Sequence, residues 1–313
     1  MSGNEFYKKV SDNIGKVIIG KEEVIKLLLV ALIADGHVLM EDVPGTGKTK
    51  LARALAKSVS ADFSRIQFTP DLLPSDVTGI NVFDMKSGEF HLKKGPVFTN
   101  ILLSDEINRA TPRTQAGLLE CMEERQVTID GDTYALDEPF FVIATQNPIE
   151  SAGTFPLPEA QLDRFIMKLS MGLPEKQEEL SIIDRYFNND PLTELDAVIS
   201  KDDIANARRE AGNIFVHEAV RDYAVNIIQK TRNYEGVLNG VSPRGTLALI
   251  RCAKAYAYLS GSDYVIPDHI KALCVPVLSH RLICGSFNSG KTGREVIEKI
   301  ISETVVPTED FKG

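Results

Sequence analysis

No apolar run in these 313 residues approaches the roughly 20 needed to cross a bilayer, so a helical membrane span is excluded. The opening residues, Met1-Ser2-Gly3-Asn4-Glu5, lack the basic and apolar regions of a secretory signal, and a cytoplasmic protein is predicted. Cysteine is scarce. Cys121, Cys252, Cys274 and Cys284 show no paired spacing, which argues against a disulfide framework or a zinc site and predicts buried free thiols. The five histidines form no HExxH-like ligand pair. Positive charge is also in deficit, with a formal net charge of −9. Affinity for nucleic acid comes mostly from neutralising phosphates, so broad nonspecific DNA or RNA binding is not expected, although a local basic patch stays open. Long repeats and low-complexity stretches are missing as well.

What remains is an ordinary globular composition, 43% hydrophobic and 25% charged, on a chain long enough for a core and a smaller second domain. Residues 5–35 read as two helices broken at Gly20, with Val24, Leu27, Leu28 and Ala31 at helical spacing in the second. From there to about residue 171, short apolar runs at 37–41, 63–68, 101–104, 140–145 and 165–170 alternate with helical segments. Several are apolar on both faces, as buried parallel strands are, and the alternation predicts a doubly wound α/β sheet of five parallel strands. Two segments interrupt it. Residues 80–92, around Lys86-Ser87-Gly88, and 126–136, around Asp130-Gly131-Asp132, read as β-hairpins. Asp130 and Asp132 suggest a calcium loop only weakly, because the remaining ligands are missing. After Gly172-Leu173-Pro174 the pattern turns to helices alone, including the stripe Val220, Tyr223, Ala224, Ile227, Ile228 and helix starts at Ser242-Pro243-Arg244 and Pro267. The predicted division is an α/β core over residues 1–172 and a smaller all-α domain over 173–313.

Two segments compete as phosphate loops. The pattern G-x4-G-K-[ST] is met strictly by Gly285 to Thr292, while Asp42-Val43-Pro44-Gly45-Thr46-Gly47-Lys48-Thr49 fails it at Asp42. The failing segment is the better candidate, because a phosphate loop needs a strand that delivers the chain and a helix whose first amides face the phosphates. Residues 37–41 supply the strand and 48–60 the helix. The later match follows a helical stretch at 270–282, and too little chain remains beyond it for a magnesium-holding strand. It reads as a glycine-rich surface loop before the last helix.

Ile101-Leu102-Leu103-Ser104-Asp105-Glu106 is an apolar strand ending in two acids, and ligands of parallel sheets lie off the C-terminal strand ends. Together with Lys48 these acids predict an ATP site. Lys48 neutralises the β- and γ-phosphates, Thr49 ligates Mg²⁺, Asp105 holds the ion through its water shell, and Glu106 polarises the attacking water. Alone, the two acids would fit an ordinary surface strand end. A further strand end, Gln146-Asn147-Pro148, sets Asn147 beside the same edge, where it could orient the water or simply make a turn.

The chain resembles the MoxR family of AAA+ ATPases over nearly its whole length. The resemblance rests on Glu41-Asp42-Val43-Pro44-Gly45-Thr46-Gly47-Lys48-Thr49, Gln67-Phe68-Thr69-Pro70-Asp71-Leu72-Leu73-Pro74-Ser75-Asp76 and Ser104-Asp105-Glu106-Ile107-Asn108-Arg109-Ala110. It continues through Ala144-Thr145-Gln146-Asn147-Pro148, Phe155-Pro156-Leu157-Pro158-Glu159-Ala160-Gln161-Leu162-Asp163-Arg164-Phe165 and Ser242-Pro243-Arg244. It implies an AAA+ P-loop core with a helical lid, ATP and Mg²⁺ as cofactors, and Gly45, Thr46, Gly47, Lys48, Thr49 and Lys50 around the phosphates. Asn147 then looks like the sensor-1 residue, and Arg164 like the arginine finger presented to a neighbouring subunit. Arg244 looks like sensor 2, reaching from the lid onto its own subunit's nucleotide; taken alone, both arginines would be surface charges. Residues 17–20, with Ile19 and Gly20, resemble the adenine-contacting segment. The hairpin at 80–92 resembles the helix-2 insert, and that at 126–136 the hairpin before sensor 1.

The expected function is a ring-forming, hexameric ATPase that remodels or activates a client protein, in some relatives with a protein carrying a von Willebrand factor A domain. Two alternatives stand beside it: a DNA-associated motor, which the acidic balance disfavours, and a nucleotide-gated binding module with little turnover.

Overall fold

The computed structural model describes residues 1–147, 153–187, 189–285, 292–308 and 311–312. Two helices open the chain, α1 (Gly3–Gly15) and α2 (Glu22–Ile33), with Gly20 left-handed (φ 68°) in the turn between them. The α/β part follows as β1 (His37–Glu41), α3 (Lys48–Ser58), β2 (Phe63–Gln67), α4 (Pro74–Thr78), β3 (Gly79–Asp84), β4 (Glu89–Lys94) and β5 (Ile101–Asp105). It continues as α5 (Pro112–Glu124), β6 (Gln126–Ile129), β7 (Asp132–Ala135), β8 (Phe141–Gln146), α6 (Glu159–Leu162) and β9 (Phe165–Leu169). Five strands form one parallel sheet in the order β2-β5-β8-β1-β9, as the alternating apolar runs predict. The two interrupting segments are antiparallel hairpins, β3–β4 and β6–β7, and Asn81 Nδ2 donates to Asp130 Oδ2 (3.0 Å) between them.

Alternation along the strands divides the core between the two sheet faces. Val38, Met40, Leu103 and Ile143 point into one apolar cluster, and Leu39, Leu102, Val142 and Ala144 into the other. The first cluster does not stop at the sheet. It runs through α1 and α2 into the C-terminal helices, so Phe6, Val10 and Leu28 share a core with Tyr223, Leu249 and Val277.

Those C-terminal helices are α7 (Lys176–Tyr186), α8 (Lys201–Gly212), α9 (Glu218–Arg232), α10 (Pro243–Leu259), α11 (Pro267–Leu278) and α12 (Gly293–Ser302). The expected stripe Val220, Tyr223, Ala224, Ile227, Ile228 is the buried face of α9, and prolines open α10 and α11. One feature departs from a purely helical reading. β10 (Val237–Asn239) and β11 (Ile283–Cys284) form a two-stranded antiparallel ribbon, too short to leave a period-2 signal in sequence. Cys121, Cys252 and Cys274 are buried and Cys284 is half-buried, all four as free thiols. Among the described residues no helix is long and apolar enough to cross a membrane.

Candidate functional site: a phosphate loop and a distant pair of arginines

β1 delivers the chain to the turn of residues 42–47, and α3 begins at Lys48. Gly45 and Gly47 have φ of +87° and +94°, a region in which a side chain is strained. Gly47 is the N-cap of α3 and has no side chain with which to cap it, so the first-turn amides stay open to an anion. The Lys48 ammonium donates to the carbonyls of Asp42 (3.1 Å) and Val43 (3.0 Å), which holds it inside the bowl of the loop. The loop forms one wall of a cavity of about 510 Å³, and Gly45, Thr46, Gly47, Lys48, Thr49 and Lys50 all line it. Ile19 lines its apolar end with Val17, Ile18, Pro174, Ile182 and Tyr186; Gly20 shapes the turn behind that wall without lining it. Tyr186 is fixed by its hydroxyl, which donates to the Val17 carbonyl (2.9 Å), while the Lys50 ammonium sits 3.7 Å from its ring centre.

The two acids and Asn147 line the same cavity. Asp105 ends the fully buried strand β5, and its Oδ1 accepts from the Thr145 hydroxyl (3.2 Å) while Oδ2 accepts from Arg65 Nε (2.6 Å). Glu106 is left-handed (φ 56°), a sparsely populated conformation for a residue with a side chain, and its amide donates to Thr145 Oγ1 (2.9 Å). Its carboxylate accepts from Gln67 Nε2 (2.8 Å) and pairs with Arg109 (2.9 Å). One hydroxyl, that of Thr145, therefore fixes both the side chain of Asp105 and the backbone turn that aims Glu106. Thr145→Val keeps the shape but strands the Glu106 amide. Turnover in a steady-state ATPase assay should fall roughly ten- to a hundredfold, the equivalent of about 1–3 kcal/mol for an unsatisfied buried donor.

Arg164 and Arg244 stand elsewhere. Arg164 Nε pairs with Glu123 Oε2 (3.0 Å), and Arg244 hydrogen-bonds the other oxygen of the same carboxylate. Both line a second cavity of about 340 Å³, walled also by Arg125, Arg251 and Arg281, at the N-terminal ends of β1 and β9. His37 in its wall is uncharged, because burial, then the nearby Arg125 cation, pushes its pKa down to about 3. The five residues of β1, about 16 Å of strand, separate this end of the sheet from the phosphate loop. The expectation that Arg244 reaches its own chain's phosphates is corrected accordingly. Its helix, α10, packs on α1, α2 and α8, and its first turn meets the residue before Arg164: Ser242 Oγ donates to Asp163 Oδ2 (3.2 Å) instead of capping the helix. Arg281, whose side chain is buried, also pairs with Asp163, and its Nη2 donates to the Phe165 carbonyl (2.7 Å), so the C-terminal segment holds the residues on both sides of Arg164.

Of the competing loop at 285–292, residues 286–291, including Lys291, lie outside the described residues. Thr292 is the N-cap of α12 in a reciprocal capping box with Glu295.

Sequence reasoning missed Arg65, Gln67, Thr145 and Tyr186. Arg65 and Gln67 alternate on β2, level with Leu103 and Asp105, and the period-2 spacing of two polar residues on an edge strand was the available signal. Thr145 lies two residues before Asn147, but only the packing of β8 on β5 sets it against Asp105. Nothing local marks Tyr186, which reaches the cavity through the packing of α7.

The family described as "ATPase family associated with various cellular activities (AAA)" matches residues 37–167, and the AAA lid domain matches residues 229–300. Among curated proteins, the chain is 50% identical to the Bacillus subtilis protein YeaC over 96% of this chain and 95% of that one. It is 43% identical to Chaperone MoxR1 of Mycobacterium tuberculosis over 86% and 73% of the two chains. It is 32% identical to Protein MoxR of Methylorubrum extorquens over 86% and 85%. A crystal structure of a Cytophaga hutchinsonii protein assigned as an ATPase superposes with a TM-score of 0.90 at 40% identity, covering 98% of this chain and 97% of that one.

Proposed function

The chain belongs to the MoxR family of AAA+ ATPases, and from that premise we propose that it hydrolyses Mg-ATP at the interfaces of a ring, hexameric in the family's manner, to remodel or activate a client protein. In this reading residues 1–172 are the ATPase core and 173–313 the lid. The observation that carries it is the gathering of Lys48, Thr49, Asp105, Glu106 and Asn147 on one cavity, with Arg164 and Arg244 paired on Glu123 at the other end of the same sheet.

The residues present suit the nucleotide and its ion. Gly45 and Gly47 leave the room and the backbone freedom for phosphates, and the uncapped start of α3 faces them. Thr49 and Asp105 offer oxygen donors, the kind Mg²⁺ takes. When bound, Mg-ATP supplies the scissile anhydride together with the ion that offsets charge on it. Lys48 leaves the carbonyls of Asp42 and Val43 for the β- and γ-phosphates. Glu106, aimed by its left-handed turn and braced by Gln67, takes the proton of the attacking water while Asn147 orients that water. Arg164, with Arg244 beside it, serves the site of the next subunit. Ile19, Tyr186 and Pro174 take the base.

A protein client is favoured over DNA by the β3–β4 hairpin, which exposes Phe83, Met85 (91%) and Phe90 (70%). Such apolar side chains suit a polypeptide, whether met directly or presented through a von Willebrand factor A domain protein, better than a phosphate backbone. DNA-stimulated turnover would favour the motor reading instead. The loop assignment has its own test. Lys48→Ala should lose measurable ATP binding by calorimetric titration, whereas Lys291→Ala should bind as the wild type does. Normal affinity in Lys48→Ala would move the nucleotide elsewhere.

A further inference from the structure

Asp42 occupies the position where the general phosphate-loop pattern calls for glycine, yet its backbone is not left-handed and does not need one. It is 5% exposed, and its carboxylate is filled with donors from one short stretch of chain. Oδ1 accepts from the Ser170 hydroxyl (2.6 Å) and the Gly172 amide (3.0 Å), and Oδ2 from the Met171 amide (2.8 Å). Gly172 is left-handed (φ 63°), so successive amides converge on one carboxylate, in the manner of an anion-binding backbone nest. A carboxylate taken out of water and given three donors forms strong, directional bonds.

The two ends of this contact matter. On one side, the carbonyl of Asp42 accepts from the Lys48 ammonium, so the same residue senses where that ammonium points. On the other, residues 170–172 follow β9 and lead through Leu173 and Pro174 into α7, which brings Ile182 and Tyr186 to the base end of the cavity. We propose that Asp42 is a positioning residue that couples the phosphate loop to the linker and α7. When Lys48 turns from the Asp42 carbonyl to the phosphates, the loop shifts, and the carboxylate carries that shift to residues 170–172. Glycine at this position would satisfy the loop and cut the connection.

The proposal rests on the reading of the cavity as an ATP site, and its test separates the two. Asp42→Gly should keep ATP affinity within about threefold by calorimetry while kcat falls about tenfold, the pattern of a residue that acts after binding. Ser170→Ala should show a smaller fall in kcat that disappears in the Asp42→Gly background, because the two residues act through each other. Hydrogen exchange with Mg-tripolyphosphate supplies a readout without base contacts. In the wild type it should slow residues 43–49 and also 173–187; in Asp42→Gly only 43–49 should slow. Should Asp42→Gly fail to fold, Asp42→Asn keeps the acceptor for Ser170 and Gly172, sets an amide against Met171, and should show the same split in weaker form. A wild-type kcat in the variant that lacks the carboxylate, or an intact response at 173–187, overturns the coupling. Lost ATP affinity at unchanged thermal stability overturns it too, since Asp42 would then serve binding alone. Failure of Lys48→Ala to affect binding counts instead against the ATP site.

Discussion

Glu106→Gln is expected to bind ATP as the wild type does and to turn it over on the order of 10²–10⁴ times more slowly, the usual loss when a general base is removed. The reason lies in how the side chain is held. Glu106 follows the strand that ends in Asp105 and lines the cavity next to the phosphate loop, and its carboxylate accepts from Gln67 while pairing with Arg109. Glutamine keeps the length and one acceptor oxygen, so the turn and the cavity wall stay in place. What it loses is the ability to take a proton from water. Calorimetry and a steady-state ATPase assay on the one variant separate the two effects. Unchanged turnover would move the base to another residue, and lost affinity would mean that Glu106 contacts the nucleotide itself.

Much of this arrangement was legible in the chain. The buried strands announced themselves as apolar runs because β5 and β8 are covered on both faces and tolerate no polar alternation. The hairpins were marked by Gly88 and Gly131, both left-handed in the structure (φ 72° and 95°), where a tight turn demands it. That Lys48 follows a strand and opens a helix is local context of the kind a sequence carries, and β1 and α3 flank it as expected, while Lys291 lies outside the described residues. What escaped was set by contacts between distant segments. Asp42 read as a tolerated mismatch, because its partners lie at Ser170, Met171 and Gly172. Arg244 read as a residue for its own chain's nucleotide, since a motif carries no information on where α10 docks. The pairing of Arg244 with Arg164 through Glu123 brings together residues 80 apart in sequence, and only the shared core of α1, α2 and the C-terminal helices determines it. β2 was found but its chemistry was not. Arg65 and Gln67 are exposed on an edge strand and become meaningful only when the register sets them level with Leu103 and Asp105.

Each working site is expected to combine two subunits, and mixing two inactive variants is the decisive measurement. Within one chain Glu106 lies at the C-terminal strand ends and Arg164 at the N-terminal ends, too far apart to address one phosphate. An arginine finger can be worth roughly 10³–10⁵ in rate, so Arg164→Ala alone should be close to inactive, as Glu106→Gln should be. When the two are mixed under conditions of subunit exchange, some interfaces join the intact Glu106 of one variant to the intact Arg164 of the other. ATPase activity measured across mixing ratios should then rise from both ends to a maximum at intermediate composition. A flat, inactive series, with mixed assemblies verified by native mass spectrometry, would contradict the shared site.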